Sequence, residues 1–226
     1  MQFLREDQET AVHAIAKRIC DELFGGKRVL WLTSGGSNIA LEVEIMGLLR
    51  AHCGDHLEGL AIVPMDERYG KPRHADSNVE QLRASGFDPG AATLVDVLMH
   101  DAPFDQTVDF YNDVASTALA NAGLVVGQFG LGTDAHVAGI LPASPAAEAD
   151  EATVAGYEWS DYTRMTLTPT ALSAVHVGYV LAYGAGKKVA LNRLLKNKED
   201  LSELPAKLLY EIPEVYVYND AISSEG

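Results

Sequence analysis

The sequence has few cysteines and no long apolar segment. Only Cys20 and Cys53 are present among 226 residues, which excludes the disulfide framework that holds many small secreted domains together. Both cysteines lie in apolar patterns typical of helices, and we expect buried, reduced thiols. No apolar run approaches the roughly 18 residues of a membrane-spanning helix, so no membrane partner is expected.

The N-terminal segment MQFLREDQET also lacks the apolar stretch of a signal peptide. It carries one arginine and three acidic residues instead. We therefore expect a cytoplasmic protein.

Basic side chains are scarce, because 17 Lys and Arg residues face 32 Asp and Glu residues, for a net charge of -15. Such a surface repels a nucleic-acid backbone, so no nucleic-acid partner is expected. An anionic small molecule remains an allowed ligand if the few cations converge locally. The positions of arginine and lysine are therefore informative.

Short apolar runs alternate with helical patterns along the chain. Helices are predicted at residues 7–24, 38–50, 78–84, 106–120 and 185–195. Strands are predicted at residues 29–33, 60–65, 93–99, 124–129, 164–168, 175–183 and 215–218. This alternation predicts a parallel sheet covered on both faces, with ligands beyond the carboxyl ends of its strands. Nothing marks a boundary, so we predict one domain over residues 1–226.

A glycine-rich turn, Ser34-Gly35-Gly36-Ser37, joins the first of these strands to a helix. Glycines allow a tight turn and close approach of a ligand, and the helix that follows offers free N–H groups to an anion. The serines add hydroxyl donors. The alternative is an ordinary turn in which Ser37 or Asn38 caps the helix.

Charged residues follow the next strand, beginning with Asp66-Glu67-Arg68. If the strand persists, Asp66 and Glu67 point to opposite sides, so that one faces a site while the other pairs with Arg68. Arginine suits phosphate because its planar fork donates two parallel hydrogen bonds. A small basic patch comes next, formed by Lys71, Arg73 and His74. The alternative is a solvated charged loop.

A third polar cluster, Gly130-Leu131-Gly132-Thr133-Asp134-Ala135-His136, also follows a strand. In extended chain, Asp134 and His136 lie on the same side, so the carboxylate can orient the imidazole. Histidine is the natural general base near neutral pH. No cysteine or second histidine is spaced for zinc, and none is expected. The alternative is a structural histidine.

Cations also occur in the C-terminal part of the chain. Arg164 opens a strand, and Lys187 and Lys188 stand at the start of a helix after Gly184-Ala185-Gly186. The helix dipole disfavours cations in a first turn, and a bound anion offsets that cost. The alternative is a pair of exposed surface lysines.

Taken in order, these motifs resemble those of the 6-phosphogluconolactonases and their relatives, the glucosamine-6-phosphate deaminases/isomerases. The resemblance runs from Leu30 to Ala221. The segments that carry it are residues 34–37, 66–68, 76–78, 130–136, 164–168, 184–187, 204–206 and 220–221.

The resemblance implies a three-layer α/β/α, modified Rossmann-type fold with a mostly parallel sheet. It implies hydrolysis of 6-phospho-D-glucono-1,5-lactone in the oxidative pentose phosphate pathway, without a metal or cofactor. His136 is then the base that activates water, with Asp134 beside it and Asp66 in the sugar site. The implied phosphate ligands are Ser34, Gly35, Gly36, Ser37, Arg68, Arg164 and Lys187. A monomer or a small homo-oligomer is expected.

Two departures from the family pattern stand out. Ala135 replaces a glycine, and a positive φ there means either strain or a reshaped loop. Asn38-Ile39 replaces Thr-Pro, which changes little because proline is only a favoured helix opener.

Two alternatives to lactone hydrolysis stay open. The deaminases carry a glutamate five residues after the histidine, where this chain has Leu141. A noncatalytic sugar-phosphate sensor requires that Ala135 has disabled the site.

Overall fold

The computed structural model describes residues 1–150 and 152–223. The predicted domain, residues 1–226, also includes Glu151 and residues 224–226, which lie outside the described residues. Within the described part, no helix is long and apolar enough to cross a membrane.

The helices fall mostly where the periodicity predicts them. They are α1 (Gln8–Phe24), α2 (Ile39–Cys53), α3 (Asn78–Ala84), α4 (Phe104–Asn121), α5 (Pro169–Leu172) and α6 (Lys188–Lys196). The strands are β1 (Gln2–Arg5), β2 (Val29–Thr33), β3 (Leu60–Pro64), β4 (Asp66–Arg68), β5 (Thr93–Leu94), β6 (Leu124–Gly130), β7 (Val154–Glu158), β8 (Thr163–Leu167), β9 (Val177–Ala182) and β10 (Glu214–Asn219).

The main sheet has the strand order β1-β10-β9-β6-β2-β3-β5, and its strands pair in parallel. The chain continues from β2 to β3 on one side of the sheet and from β6 to β9 on the other. The order therefore reverses between β2 and β6, which is where parallel sheets leave a crevice for ligands. A smaller antiparallel sheet, β4-β8-β7, lies beside the main one.

Two hydrophobic layers cover the main sheet, which confirms the predicted three-layer architecture. The side chains of β2 alternate, as the two-residue period of a strand requires. Trp31 packs in the layer with α1 and α2, and Leu30 and Leu32 pack in the layer with α4 and α6. All three side chains are buried.

Apart from shifts of one or two residues at other strand ends, the strand predictions differ from the structure in five places. One is β4, which is not among the predicted strands. The predicted strand 60–65 ends at Pro64 because the Met65 N–H donates to Thr33 while its carbonyl accepts from Leu167, so the chain crosses into the small sheet there. The predicted strand 93–99 is only two residues long. Strands β1 and β7 carry no continuous apolar run, and their pairing with β10 and β8 makes them strands.

The prediction of reduced thiols is wrong in this structure, because Cys20 and Cys53 form a disulfide. The two Cα atoms are 5.9 Å apart, and both side chains are buried as expected. Helices α1 and α2 flank a parallel sheet on the same face and run in the same direction. Their C-terminal turns therefore meet, although the two cysteines are 33 residues apart in the sequence.

Candidate active site

A cleft of about 300 Å³ opens at the carboxyl ends of β2, β6 and β9. It is lined by Ser34, Gly35, Gly36, Ser37, Asp66, Arg68, Asn78, Gly130, Leu131, Gly132, Thr133, His136, Ala138, Arg164 and Lys187. The structure thus brings together nine of the ten site residues predicted from sequence. The tenth, Asp134, contacts His136 from beside the cleft.

The turn at residues 34–37 depends on glycine at two positions. A side chain on Gly35 would place Cβ 2.2 Å from the Asn78 Oδ1 atom, and Gly36 has a φ of 68°. The backbone then enters a short 3₁₀ turn at Gly36–Asn38 and continues into α2. Ser34, Gly35, Gly36 and Ser37 all line the cleft, so the start of this helix borders the space where an anion site is expected.

The capping alternative for this turn is not what the structure contains. The Asn38 side chain makes no capping bond; it donates to Ser34 Oγ at 3.2 Å instead. The Oε1 atom of Glu42 accepts from the Ser34 N–H at 2.9 Å and from its hydroxyl at 3.4 Å. Glu42 is not among the residues predicted from sequence, because a single acidic residue in the first turn of an amphipathic helix gives no sign of burial.

Asp66 and Glu67 point to opposite sides of β4, as predicted. Asp66 lines the cleft and accepts from the Asn78 amide at 3.3 Å. Burial raises the pKa of Asp66, against the opposing effect of Arg164, Arg68 and His136.

The predicted pairing of Glu67 with the Arg68 side chain is wrong. The Glu67 carboxylate accepts from the backbone N–H groups of Arg68, Asn78 and Val79 and from the Ser77 hydroxyl. It therefore holds the start of α3, because the Asn78 and Val79 N–H groups have no partner within that helix.

Two arginines face the cleft from the small sheet, on paired positions of β4 and β8. The ring of Tyr162 lies against both, 4.7 Å from Arg68 Cζ and 5.4 Å from Arg164 Cζ. Arg68 also donates to the Asp76 carbonyl at 2.9 Å, and Arg164 pairs with Asp161 at 2.7 Å. Within the described residues, the Nε atoms of both arginines are buried without a hydrogen-bond partner.

Lys187 reaches the cleft from the opposite side. Its Nζ donates to the Leu131 carbonyl at 2.6 Å, so the ammonium group sits where the loops after β6 and β9 meet. Lys187 belongs to a 3₁₀ turn that leads into α6. Its neighbour Lys188 does not line the cleft, so only one of the two lysines converges on the site.

His136 and Asp134 form a hydrogen-bonded pair at the edge of the cleft. The Asp134 Oδ1 atom lies 2.7 Å from His136 Nδ1 and also accepts the His136 backbone N–H at 3.1 Å. Partial burial opposes ionisation, but the charge and hydrogen bonds of His136 hold the pKa of Asp134 below its ordinary value. A carboxylate only accepts hydrogen bonds, so Nδ1 carries the proton and Nε2 keeps its lone pair in the neutral ring.

The turn that presents His136 is tight. The Gly132 N–H donates to the His136 carbonyl at 2.8 Å, and a Cβ at Gly132 would lie 2.2 Å from His136 Nδ1. Ala135 has a φ of 72°, so the strain expected from the missing glycine is present, at a cost of about 1 kcal/mol. Its N–H still bonds to Gly132 and its carbonyl still accepts from Ala206.

The basic patch at residues 71–74 does not line the cleft. Lys71 and Arg73 are exposed, and the His74 ring contacts the Arg68 carbonyl at 3.0 Å. Two tyrosines near β3 and β4 are not in the cleft lining, and their hydroxyl groups donate hydrogen bonds to backbone carbonyls. Tyr69 donates to the Ala102 carbonyl and Tyr111 to the Pro64 carbonyl.

A larger cleft of about 940 Å³ lies nearby, around the ends of β1 and β9. Its lining includes five acidic residues and one arginine: Glu6, Asp7, Glu9, Glu44, Asp220 and Arg5. That charge repels an anionic ligand. The smaller cleft, with two arginines, one lysine and one carboxyl group in its lining, is therefore the candidate site for an anion.

Comparison with known proteins gives one family. The family described as glucosamine-6-phosphate isomerases/6-phosphogluconolactonase matches residues 6–217. A protein of Borreliella burgdorferi named 6-phosphogluconolactonase is 31% identical over 102 residues, 42% of each chain. A protein of Synechocystis with the same name is 26% identical over 156 residues, 64% of this chain and 63% of the relative. The match spans less than two thirds of either relative.

Solved structures agree in fold across nearly the whole chain. A 6-phosphogluconolactonase from Shewanella baltica has a TM-score of 0.76 at 18% identity, covering 96% of this chain and 95% of that one. A monomeric glucosamine-6-phosphate deaminase has a TM-score of 0.79 at 14% identity, covering 97% of both chains. At such identities the likeness establishes the fold alone.

Proposed function

Because the chain belongs to the glucosamine-6-phosphate isomerase/6-phosphogluconolactonase family, we propose that it hydrolyses 6-phospho-D-glucono-1,5-lactone to 6-phosphogluconate. One observation carries the proposal. The His136–Asp134 pair borders the same cleft into which Arg68, Arg164 and Lys187 converge, in a chain with a net charge of -15.

The substrate phosphate binds where the cations meet the loop at residues 34–37. The loop supplies N–H and hydroxyl donors, and the guanidinium groups of Arg68 and Arg164, which line the same cleft, supply more. Charge-assisted bonds of this kind are about twice as strong as neutral ones. The phosphate then displaces Asp161 as the main partner of Arg164, and the ring of Tyr162 keeps both guanidinium groups oriented.

His136 acts as the general base on water. Asp134 holds the Nδ1 proton, so Nε2 accepts a proton as the water oxygen attacks the lactone carbonyl carbon. The cations and N–H groups of the cleft stabilise the negative charge on the carbonyl oxygen. The ring C–O bond then breaks, and the imidazolium returns its proton to the leaving ring oxygen. The new carboxylic acid ionises and releases one proton to solvent.

This chemistry needs no metal ion or redox cofactor, because the ester is already activated and a single base suffices. Asp66 lines the sugar side of the cleft, where its carboxyl group orients ring hydroxyls. The raised pKa of Asp66 fits a hydrogen-bonding role with sugar hydroxyls.

Amino-sugar isomerisation with deamination is less well supported. It moves a proton between adjacent carbons and opens the ring with a separate acid, so it needs more titratable groups. Among the described residues that line the cleft, only Asp66 carries a carboxyl group. Leu141, at the position where the deaminases have a glutamate, packs against the hydrophobic core.

The test is acid release from freshly made 6-phosphogluconolactone. We expect turnover by the wild type, little turnover of the lactone that lacks the phosphate, and a loss of about 100-fold or more in kcat for His136→Ala. The matched control is His13→Ala, because His13 is exposed on α1 outside the cleft lining. Equal activity of the two variants would remove His136 from the mechanism.

A further inference from the structure

A buried carboxyl group lies directly behind the loop at residues 34–37, and the proposed mechanism does not use it. Glu42, in the first turn of α2, has 0% of its surface exposed. Its Oε1 atom accepts from Ser34, and Ser34 itself lines the cleft. Its Oε2 atom is buried and has no hydrogen-bond partner within the described residues.

Burial of this kind favours the neutral acid, because an ionised carboxylate without full hydrogen bonding is costly inside a protein. Burial raises the pKa of Glu42 to about 8, although the hydrogen bonds from Ser34 oppose the change. The N-terminal end of α2 also favours an anion, but burial outweighs it. The proton belongs on Oε2, because Oε1 already accepts the Ser34 N–H.

Charged groups stand on the elements around Glu42. The Asp66 carboxyl on β4 raises the pKa of Glu42 further. On the cleft side of the loop stand Arg68, Arg164, Lys187 and the ring of His136. The two arginines, the lysine and the imidazole line the space where an anion binds, whereas Glu42 is not in the cleft lining and bonds the backbone of the loop at Ser34.

We propose that Glu42 is a positioning residue for the phosphate loop, acting through Ser34 and working in its neutral form. The neutral carboxyl group fixes the Ser34 N–H, while the longer contact leaves the Ser34 hydroxyl free to turn toward a phosphate monoester. An ionised Glu42 would instead set a buried negative charge behind the bound dianion. The inference rests on the proposed function in one respect, that the ligand is a phosphate monoester.

Phosphate binding and protonation of Glu42 are therefore linked. A bound dianion favours the neutral acid, so the complex keeps its proton at a pH where the free protein has lost it. Affinity must then fall as the pH rises through the pKa of free Glu42. Between pH 7 and pH 9 the dissociation constant rises about tenfold, which follows from a pKa of about 8 in the free protein.

The experiment is calorimetric titration of 6-phosphogluconate into the wild type, Glu42→Gln and Glu42→Leu at pH 7, 8 and 9. This window lies above the second pKa of a phosphate monoester, about 6, so the phosphate group of the ligand is a dianion and its overall charge is constant throughout. Glutamine keeps the acceptor for Ser34 and cannot ionise. The dissociation constant of 6-phosphogluconate from Glu42→Gln should therefore stay within about twofold of the wild-type value at pH 7 and vary little with pH. Leucine fills the space but removes the acceptor, so Glu42→Leu should bind 6-phosphogluconate more weakly than the wild type at every pH.

The matched control is Glu44→Gln, which removes an exposed carboxyl group from the same helix and should keep the wild-type pH dependence. A tenfold rise that persists in Glu42→Gln would overturn the assignment to Glu42. Wild-type affinity in Glu42→Leu at pH 7 would overturn the action through Ser34. Failure of the folded wild type to bind 6-phosphogluconate at any pH would instead refute the proposed function, and the inference with it.

Discussion

Replacing Glu42 by glutamine should stabilise the protein by an amount that grows with pH. In the unfolded chain Glu42 ionises near its ordinary pKa of 4.5, whereas in the folded protein it does so at about 8. The stabilisation of the wild type by neutral Glu42 is therefore complete below pH 4.5 and is lost as pH rises to about 8. Glutamine does not ionise, so the Glu42→Gln variant does not lose stability from this position as the pH rises.

The magnitude follows from the pKa difference at about 1.36 kcal/mol per unit. The ionisation cost to the wild type is about 1 kcal/mol at pH 5, about 3 kcal/mol at pH 7 and about 4 kcal/mol at pH 8. The difference in unfolding free energy between Glu42→Gln and wild type should therefore grow by about 3 kcal/mol from pH 5 to pH 8.

Urea denaturation of both proteins at pH 5, 6, 7 and 8 measures this difference directly. Titrating groups that do not interact with Glu42 are common to both proteins and cancel in the comparison. Any pH-independent effect of the amide on packing shifts all four points equally. A difference that stays constant across the series would refute the conclusion that Glu42 is buried as the neutral acid.

Three further changes test other parts of the site and fold. Asp134→Asn should lower kcat by about 100-fold or more with little change in KM, because an amide no longer fixes the Nδ1 proton of His136; an unchanged kcat would contradict the pairing. Arg164→Ala should raise KM by about 10- to 100-fold, more than it lowers kcat, since a phosphate anchor acts mainly on binding; a KM within twofold of wild type would remove Arg164 from the site. Reduction of the Cys20–Cys53 disulfide, which spans 33 residues, should lower the unfolding free energy by about 3 to 4 kcal/mol in urea denaturation. Equal stability with and without reductant would show that the disulfide does not stabilise the folded protein.

The fold and the proximity of the site loops follow from the sequence, because apolar strands alternate regularly with amphipathic helices along the chain. The strand Val29–Thr33 is buried at every position, and the strand Leu124–Gly130 is buried at every position except Gly130, so a parallel sheet is the natural solution. Carboxyl ends of parallel strands meet at one edge. The motifs that directly follow those strands are therefore predicted to meet as well.

What the sequence does not reveal depends on packing between segments that are distant in the chain. In the sequence, Glu42 is one acidic residue on an amphipathic helix. Its burial and its bond to Ser34 arise only because α2 packs against the turn at residues 34–37. The disulfide depends on two helix ends meeting. Tyr162 and Asp161 contact the arginines because β7 and β8 pair and carry their connecting turn to the cleft. None of these contacts has a spacing or periodicity to mark it.

Hydrolysis of a phosphorylated lactone in the cleft is what the proposed function requires. The most direct measurement compares, on one preparation of the protein, acid release from freshly made 6-phosphogluconolactone with ammonia release from glucosamine 6-phosphate. We predict acid release well above the spontaneous rate and no ammonia. Ammonia release, or hydrolysis no faster than the spontaneous rate, would contradict lactone hydrolysis as the function of this cleft.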